Sequence, residues 1–310
     1  MEYIILILAL AAIVCGANYL VDGSVSIAKR FGVSDFFVGA TIVGIGTSMP
    51  ELVVSLAGAL KGNPDVAIGN VVGSNIFNVL GILGLTALFA PVAVDKKNLK
   101  FEIPYCIAVS MLLTVLASDG ISHLNGLVLL ICFVIILWFS IGRGKSAPTF
   151  EGPSDAVHTA WWLPVVKVTG GLSVLVMGSN FFVDSAVLIA QSLGVEDAFI
   201  SLTLVACGTS LPELAASVTA ALKRNTQMAI GNIVGSNVFN VTGILGLSSL
   251  VIPLTASGVT LADYVVMTTA SVLLLAFGFR GGIGRVGGAL MFVCFLVYNW
   301  YLLNKQLQLA

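Results

Sequence analysis

The chain has 310 residues, of which 58% are hydrophobic and only 9% charged, and its formal net charge is −1. Soluble domains carry about 25% charged residues, so this composition excludes an ordinary soluble protein and predicts an all-α integral membrane protein. A helical span needs about 20 apolar residues, so the length allows roughly ten spans and no sizeable soluble domain. The near-neutral charge offers no support for a nucleic-acid partner.

The apolar stretches predict ten transmembrane helices. In chain order they cover residues 3–28, 37–61, 66–90, 101–118, 124–142, 162–190, 199–222, 227–252, 260–279 and 284–303. The first stretch has no basic segment before it, so we interpret it as an uncleaved helix and not as a signal peptide.

The basic residues predict the orientation of these helices, because Lys and Arg accumulate in short cytoplasmic loops. With the N-terminus outside, eleven of them are cytoplasmic: Lys29, Arg30, Lys96, Lys97, Lys100, Arg143, Lys145, Lys223, Arg224, Arg280 and Arg285. Only Lys61 and Lys305 then fall outside, and Lys167 lies near the inner end of its span. This bias predicts an even number of spans, both termini outside, and a multi-pass protein of the cell membrane.

The sequence contains an internal repeat. A shift of 162 residues aligns Gly16–Pro91 with Gly178–Pro253, and 42 of the 76 pairs are identical. Each copy holds five predicted spans, an odd number, so the second copy should be inverted in the membrane. We therefore predict a first five-helix repeat at 1–142, a short cytoplasmic linker at 143–161 and an inverted repeat at 162–310. Such repeats typically place a binding site near the bilayer midplane, where their halves meet.

The first repeated motif, Gly-Thr-Ser-x-Pro-Glu-Leu, lies at 46–52 and 208–214. Its glutamates, Glu51 and Glu213, fall near the centres of predicted spans, where a charge facing lipid would cost about 2.5–3.5 kcal/mol or more. They should therefore face the protein interior and bind a cation or a proton. The preceding proline has no N–H and releases backbone oxygens one turn earlier. Carboxylate, hydroxyl and carbonyl oxygens are hard ligands that suit sodium and calcium.

The second motif, Gly-Asn-x-Val-Gly-Ser-Asn-x-Phe-Asn, lies at 69–78 and 231–240. Asn70, Ser74 and Asn78 recur every four residues and should form a polar stripe on one helix, as their counterparts should on another. The GxxxG glycines beside them favour close helix packing. Individual hydroxyls in such helices often only bond a neighbouring helix, and Asn70 and its counterpart could equally be packing residues.

Other features weigh against further chemistry. Glu102, Asp119 and Asp263 fall at span ends and are expected to be solvated. No Walker loop or dinucleotide fingerprint is present, so a nucleotide ligand, a cofactor and transport driven directly by ATP have no support. We expect a transporter and not an enzyme.

At both motifs the sequence resembles the cation/calcium exchanger superfamily, specifically its prokaryotic sodium/calcium exchangers. The stretches 46–52 and 69–85 resemble the first alpha-repeat of this family, and 208–214 and 231–247 resemble the second. The resemblance implies secondary exchange of external sodium for internal calcium by alternating access, with three sodium ions per calcium as the family norm.

The resemblance also implies roles for individual residues. Glu51 and Glu213 match ligands shared by calcium and sodium, and Thr47 and Thr209 match positions whose backbone oxygens bind calcium. Sodium-coordinating hydroxyls are matched by Ser48, Ser74, Ser210 and Ser236. Backbone carbonyl donors of outer sodium sites are matched by Gly44 and Ala206. The two residues that flank the central site are matched by Asn78 and Asn240.

One position departs from several relatives, which have Asp where this chain has Asn240. The central cluster therefore has two carboxylates, which one calcium ion neutralises, whereas three sodium ions leave one positive charge. Exchange at that stoichiometry should be electrogenic. The resemblance of this Asn to potassium-independent animal exchangers implies that potassium is not required.

Three alternatives remain open from sequence. Proton/calcium exchange is the nearest, because a glutamate can carry a proton in place of sodium. A calcium channel is disfavoured by the inverted repeat, and a non-transporting receptor or scaffold is disfavoured by the buried acids and short loops.

Overall fold

The computed structural model describes residues 1–144, 160–194, 208–255 and 258–307, and this part of the chain is almost entirely helical. The helices are α1 Glu2–Phe31, α2 Asp35–Thr47, α3 Met49–Leu60, α4 Pro64–Phe89, α5 Glu102–Leu116, α6 His123–Gly144, α7 Leu163–Ser192, α8 Leu211–Leu222, α9 Thr226–Val251, α10 Leu261–Phe279 and α11 Arg285–Leu307. The predicted all-α class is confirmed.

Within the described ranges, seven helices are long and apolar enough to cross a membrane, and the bent pair α2 and α3 would make an eighth. Helices α5 and α8 are shorter and apolar. Each predicted span coincides with one of these elements. Residues 199–207 of the seventh predicted span and most of the predicted linker lie outside the described part of the chain. The number of ten spans and the orientation of the termini stay predictions.

Helices α4 and α9, which carry the second motif, form the centre of the protein. In their most apolar stretches 78% and 89% of residues are buried, against 17% in both α6 and α11. A helix buried on all sides must place its polar side chains against other helices, so the polar stripes of α4 and α9 face protein and not lipid.

Helices α1 and α7, each 30 residues long, pack closely against each other. A Cβ atom added to Gly16 would lie 2.6 Å from the backbone nitrogen of Leu175, and one added to Gly171 would lie 2.6 Å from that of Leu20. Only glycine permits this approach, which brings the two backbones into contact. Most residues in the apolar stretches of α1 and α7 are not buried, since the buried shares are 33% and 22%.

The span predicted at 37–61 is broken at the first proline motif, where the sequence predicted that backbone oxygens leave the helical hydrogen-bond pattern. Helices α2 and α3 meet at Ser48 with a bend of 45°, and Pro50 occupies the first turn of α3. The proline cannot donate a hydrogen bond to the carbonyl of Gly46, so the helix cannot continue straight. Ser210, before α8, has nearly the same backbone angles as Ser48, with φ −93° and ψ 9° against −82° and 8°.

A small β-ribbon was not expected from sequence. Strand β1, Val92–Ala93, pairs antiparallel with β2, Gly282–Ile283, and an isolated bridge joins Ile121 to Leu254. Val92 and Leu254 are 162 residues apart, as are Ile121 and Ile283, so the ribbon and the bridge occupy equivalent positions in the two repeats. The ribbon joins the connection after α4 to the connection before α11. The bridge joins the connection after α9 to the connection before α6.

Candidate cation site

Glu51 and Glu213 lie in the first turns of α3 and α8 and are fully buried. Each accepts a hydrogen bond from a serine of the other repeat. The hydroxyl of Ser48 donates to Oε1 of Glu213 and that of Ser210 donates to Oε1 of Glu51, both at 2.8 Å. The two proline motifs therefore meet at the centre of the protein, and the predicted interior position of both glutamates is confirmed.

Two asparagines of the second motif connect α4 and α9 to these turns. Asn70 donates to the backbone oxygen of Glu51 at 3.1 Å and to the Ser55 hydroxyl at 3.0 Å. Asn232 makes the equivalent bonds to the backbone oxygen of Glu213 and to Ser217, at 3.2 and 2.9 Å. Sequence alone left Asn70 and Asn232 undecided, and their amides hold the glutamate backbones in place. Ser55 and Ser217 were not predicted as site residues, and the sequence feature that could have indicated them is their occurrence at equivalent positions of the two repeats.

The remaining predicted donors in α2, α4 and α9 lie against the same centre. The hydroxyls of Ser74 and Ser210 lie 3.3 Å apart, and because Ser210 gives its single proton to Glu51, Ser74 is the donor of this pair. This contact places α4 beside the second glutamate motif. The Gly44 carbonyl accepts from Ser236 at 3.1 Å and from Thr47 at 3.4 Å. Ser74, Ser236, Thr47 and Gly44 are all buried.

Four asparagines link α4 to α9 one turn further along. The amide nitrogen of Asn78 donates to Oδ1 of Asn237 at 2.9 Å, and that of Asn240 donates to Oδ1 of Asn75 at 3.0 Å. Asn78 and Asn240 lie in π-helical turns, Phe77–Leu83 and Phe239–Ile244, which widen the helix locally. Asn75 and Asn237 were part of the repeated motif but received no role from sequence.

Five oxygen atoms of the predicted site residues are buried and have no hydrogen-bond partner among the described residues. They are Oε2 of Glu51, Oε2 of Glu213, Oδ1 of Asn78, Oδ1 of Asn240 and Oγ1 of Thr209. Buried polar atoms are normally bonded, and the carboxylate and amide oxygens among these atoms can only accept, so buried acceptors without a donor favour a cation-binding function. All five are hard oxygen atoms of the kind that sodium and calcium prefer.

The electrostatics of the site also favour a cation. None of the ion pairs among the described residues involves Glu51 or Glu213, since these pairs join Arg143 to Glu102 and Lys223 to Asp22. Two carboxylates in a low-dielectric interior repel each other unless positive charge lies between them. The described residues contain no cluster of three or more His, Cys, Asp or Glu that could hold a metal, so the site depends on two carboxylates and neutral oxygens.

Ala206, the predicted carbonyl donor of the second repeat, lies outside the described residues. The expectation that Glu102 and Asp263 are solvated is wrong, because both are buried, with exposed fractions of 8% and 5%. Glu102 pairs with Arg143 at 3.1 Å, and Asp263 accepts from the Tyr298 hydroxyl at 2.8 Å. Arg143 and Tyr298 are too distant in sequence from these acids to be recognised from spacing. Asp263 also has a local partner, because it forms a capping box with Thr260 at the start of α10.

The chain is similar to known proteins over nearly its whole length. The family model described as sodium/calcium exchanger protein matches residues 1–142 and 163–304. The chain is 36% identical to the putative antiporter CaxA of Alkalimonas amylolytica, over 97% of this chain and 98% of that protein. It is 31% identical to the sodium/calcium exchanger MaX1 of Methanosarcina acetivorans, over 97% of this chain and 99% of that one.

The fold also matches that of the sodium-calcium exchanger NCX_Mj. One solved structure of it superposes with a TM-score of 0.86 and 35% identity, covering 97% of this chain and 98% of the other. Another, soaked with 2.5 mM Na⁺ and 0.1 mM Ca²⁺, has a TM-score of 0.84 and 36% identity, covering 96% of each chain. The family match, which spans both repeats and nearly the whole length, shows that this membrane protein belongs to the sodium/calcium exchanger family of the cation/calcium exchanger superfamily.

Proposed function

We propose that the chain is a secondary antiporter that exchanges sodium for calcium across the cell membrane by alternating access. The observation that carries the proposal is the pair Glu51 and Glu213, which are fully buried, held by serines of the opposite repeats, and each left with a free Oε2. No cofactor is involved, and calcium and sodium are the transported substrates.

The central ligands would be the carboxylates of Glu51 and Glu213, with the backbone oxygens of Thr47 and Thr209 completing the calcium site. The hydroxyls of Ser48, Ser74, Ser210 and Ser236 and the carbonyls of Gly44 and Ala206 would serve sodium, and Asn78 and Asn240 would flank the centre. The reciprocal serine–glutamate bonds support this assignment, because the same hydroxyl oxygen that donates to a carboxylate also has lone pairs for a cation.

The charge of the site supports electrogenic exchange. Two carboxylates and a calcium ion sum to zero, whereas two carboxylates and three sodium ions sum to +1. The sodium-loaded protein would therefore carry one charge across the membrane in each cycle at a stoichiometry of three to one. Asn240 contributes no charge, and we propose that potassium is not required.

The packing supports a movement of α1 and α7 relative to the core. These two helices contact each other through Gly16 and Gly171, and a smaller share of their residues is buried than in the central helices α4 and α9. We propose that 1–142 and 162–310 are inverted five-span repeats with both termini outside, joined by a cytoplasmic linker at 143–161. Sliding of the α1–α7 pair would then expose the site to either side in turn.

Calcium uptake by proteoliposomes tests the function. Vesicles loaded with sodium and diluted into sodium-free medium should take up calcium, and the uptake should increase with an inside-positive potential and be unchanged by potassium. Uptake that continued without a sodium gradient but followed a pH gradient would indicate proton exchange instead. Passive flux far faster than a conformational cycle would indicate a channel.

A further inference from the structure

Hydrogen bonds link the four asparagines between α4 and α9, and contacts with the backbone determine whether each amide presents its nitrogen or its oxygen to the next. The side-chain nitrogen of Asn75 lies 3.1 Å from the backbone oxygen of Asn237, and that of Asn237 lies 3.2 Å from the backbone oxygen of Asn75. A carbonyl oxygen can only accept, so each of these amides must present its nitrogen to the facing backbone. The Asn75 nitrogen also points at the Met267 sulfur, a second weak acceptor, at 3.9 Å.

This constraint determines how the next pair of amides is oriented. With its nitrogen used by the backbone, Asn75 can offer only Oδ1 to Asn240, and Asn237 can offer only Oδ1 to Asn78. Each of the two must therefore turn its own nitrogen towards that oxygen, at 3.0 and 2.9 Å. The Oδ1 atoms of Asn78 and Asn240 are then left buried and without a partner.

The free oxygens belong to the same polar stripes as the cation ligands. Asn78 follows Ser74 by four residues on α4, and Ser74 contacts Ser210, which bonds Glu51. Asn240 follows Ser236 in the same way on α9. If either amide were reversed, its N–H groups would face the cation and repel it.

We propose that Asn75 and Asn237 are positioning residues that hold the amides of Asn240 and Asn78, respectively, with oxygen towards the transported cation. This rests on the proposed function of the site. The pairing is crosswise, since each positioning residue acts on the flanking asparagine of the other repeat. Leucine in place of either positioning residue is close in size but has neither donor nor acceptor, so the amide that depended on it becomes free to turn.

A double-mutant cycle tests the pairing through the calcium dissociation constant of purified protein, measured by calorimetry, and the calcium KM of uptake. Asn75→Leu should weaken calcium binding by roughly tenfold, within the range found for residues of one network. The same change should have almost no further effect in an Asn240→Ala background, and its full effect in an Asn78→Ala background. Asn237→Leu should show the opposite pattern.

A purely structural role of Asn75 would weaken binding equally in both backgrounds, and that outcome would overturn the inference. If Asn75→Leu is not monodisperse, Asn75→Ala removes the same hydrogen bonds and the same pattern is expected. The unmodified chain is assayed first for sodium-driven uptake. Absence of that uptake overturns the proposed function, whereas active wild-type protein with additive effects overturns the positioning inference alone.

Discussion

The hydroxyl of Ser48 donates a hydrogen bond to Oε1 of Glu213, 2.8 Å away and 165 residues further along the chain. The equivalent bond from Ser210 to Glu51 has the same length. Because each carboxylate is held by the opposite repeat, any motion that separated α3 from α8 would break both bonds. The movement needed for alternating access is therefore better placed at the α1–α7 pair, which leaves this contact intact.

Replacing Glu213 by glutamine should abolish exchange without unfolding the protein. The amide keeps an oxygen that accepts from Ser48, but the site loses one of its two negative charges. Calcium at the site would then keep one uncompensated buried charge, which costs about 3–5 kcal/mol, so calcium uptake at a fixed concentration should fall by two orders of magnitude or more. Glu51→Gln should behave in the same way.

Glu102→Gln is the matched control, because Glu102 is also a buried carboxylate but pairs with Arg143 outside the central cluster. Its uptake should stay within a factor of about two of wild type, as expected for a partly exposed ion pair. Normal transport by Glu213→Gln, or an equal loss in the control, would contradict the site assignment.

Gly171→Val should destabilise the protein and stop transport. The added Cβ would lie 2.6 Å from the backbone nitrogen of Leu20, so α1 and α7 could not keep their separation, and overpacking of this kind costs about 1–3 kcal/mol or more. Thermal unfolding in detergent should show a lower Tm. Gly170→Val is the control, since a Cβ there meets no described atom within 4 Å. This variant should transport calcium normally. Equal losses of transport in both variants would show that the α1–α7 contact is not responsible.

The helices and the two glutamates were predictable from sequence because their signals are local. The length of an apolar stretch predicts a membrane span. A carboxylate in the middle of such a span needs a cation or a proton, whichever helices pack around it. The repeat strengthened both conclusions, since 42 of 76 aligned pairs are identical. The release of backbone oxygens before Pro50 was predictable in the same way, because a proline breaks the hydrogen-bond ladder of its own helix.

Contacts between the repeats were not predictable. Ser48 is three residues from Glu51 and could have bonded the carboxylate of its own motif, and only the packing of α3 beside α8 directs it to Glu213. Glu102 was expected in water for a related reason, since its partner Arg143 lies 41 residues away. Sequence spacing carries no information about such pairs unless both ends lie on one helix.

Ser48→Ala should weaken the use of sodium. The change removes a hydroxyl oxygen from the centre and leaves Oε1 of Glu213 without its donor, and a hydrogen bond to a charged group contributes about 1.5–3 kcal/mol. The sodium KM of exchange should rise by roughly tenfold or more. Ser110→Ala is the control, because the buried Ser110 hydroxyl donates to the Cys106 carbonyl of its own helix at 2.9 Å. An unchanged sodium KM in Ser48→Ala would exclude the hydroxyl as a sodium ligand.

Asn240→Asp should change which step of the cycle carries charge. With two carboxylates the calcium-loaded site is neutral, so calcium–calcium exchange, which uses only that form, should not respond to membrane potential. An ionised third carboxylate would leave the calcium-loaded site at −1 and make the same exchange voltage-dependent, since moving one charge across 100 mV involves about 2.3 kcal/mol.

The aspartate would also face Oδ1 of Asn75, which now accepts from the Asn240 amide at 3.0 Å, so two acceptors would meet and calcium affinity should fall as well. Asn98→Asp adds the same charge where Asn98 bonds Gln227, outside the central cluster, and should leave calcium–calcium exchange independent of voltage. Flux measured in vesicles clamped at several potassium-diffusion potentials separates the two variants. Voltage dependence already present in the wild type would contradict the two-carboxylate charge count, because a neutral loaded site has no net charge for the potential to act on.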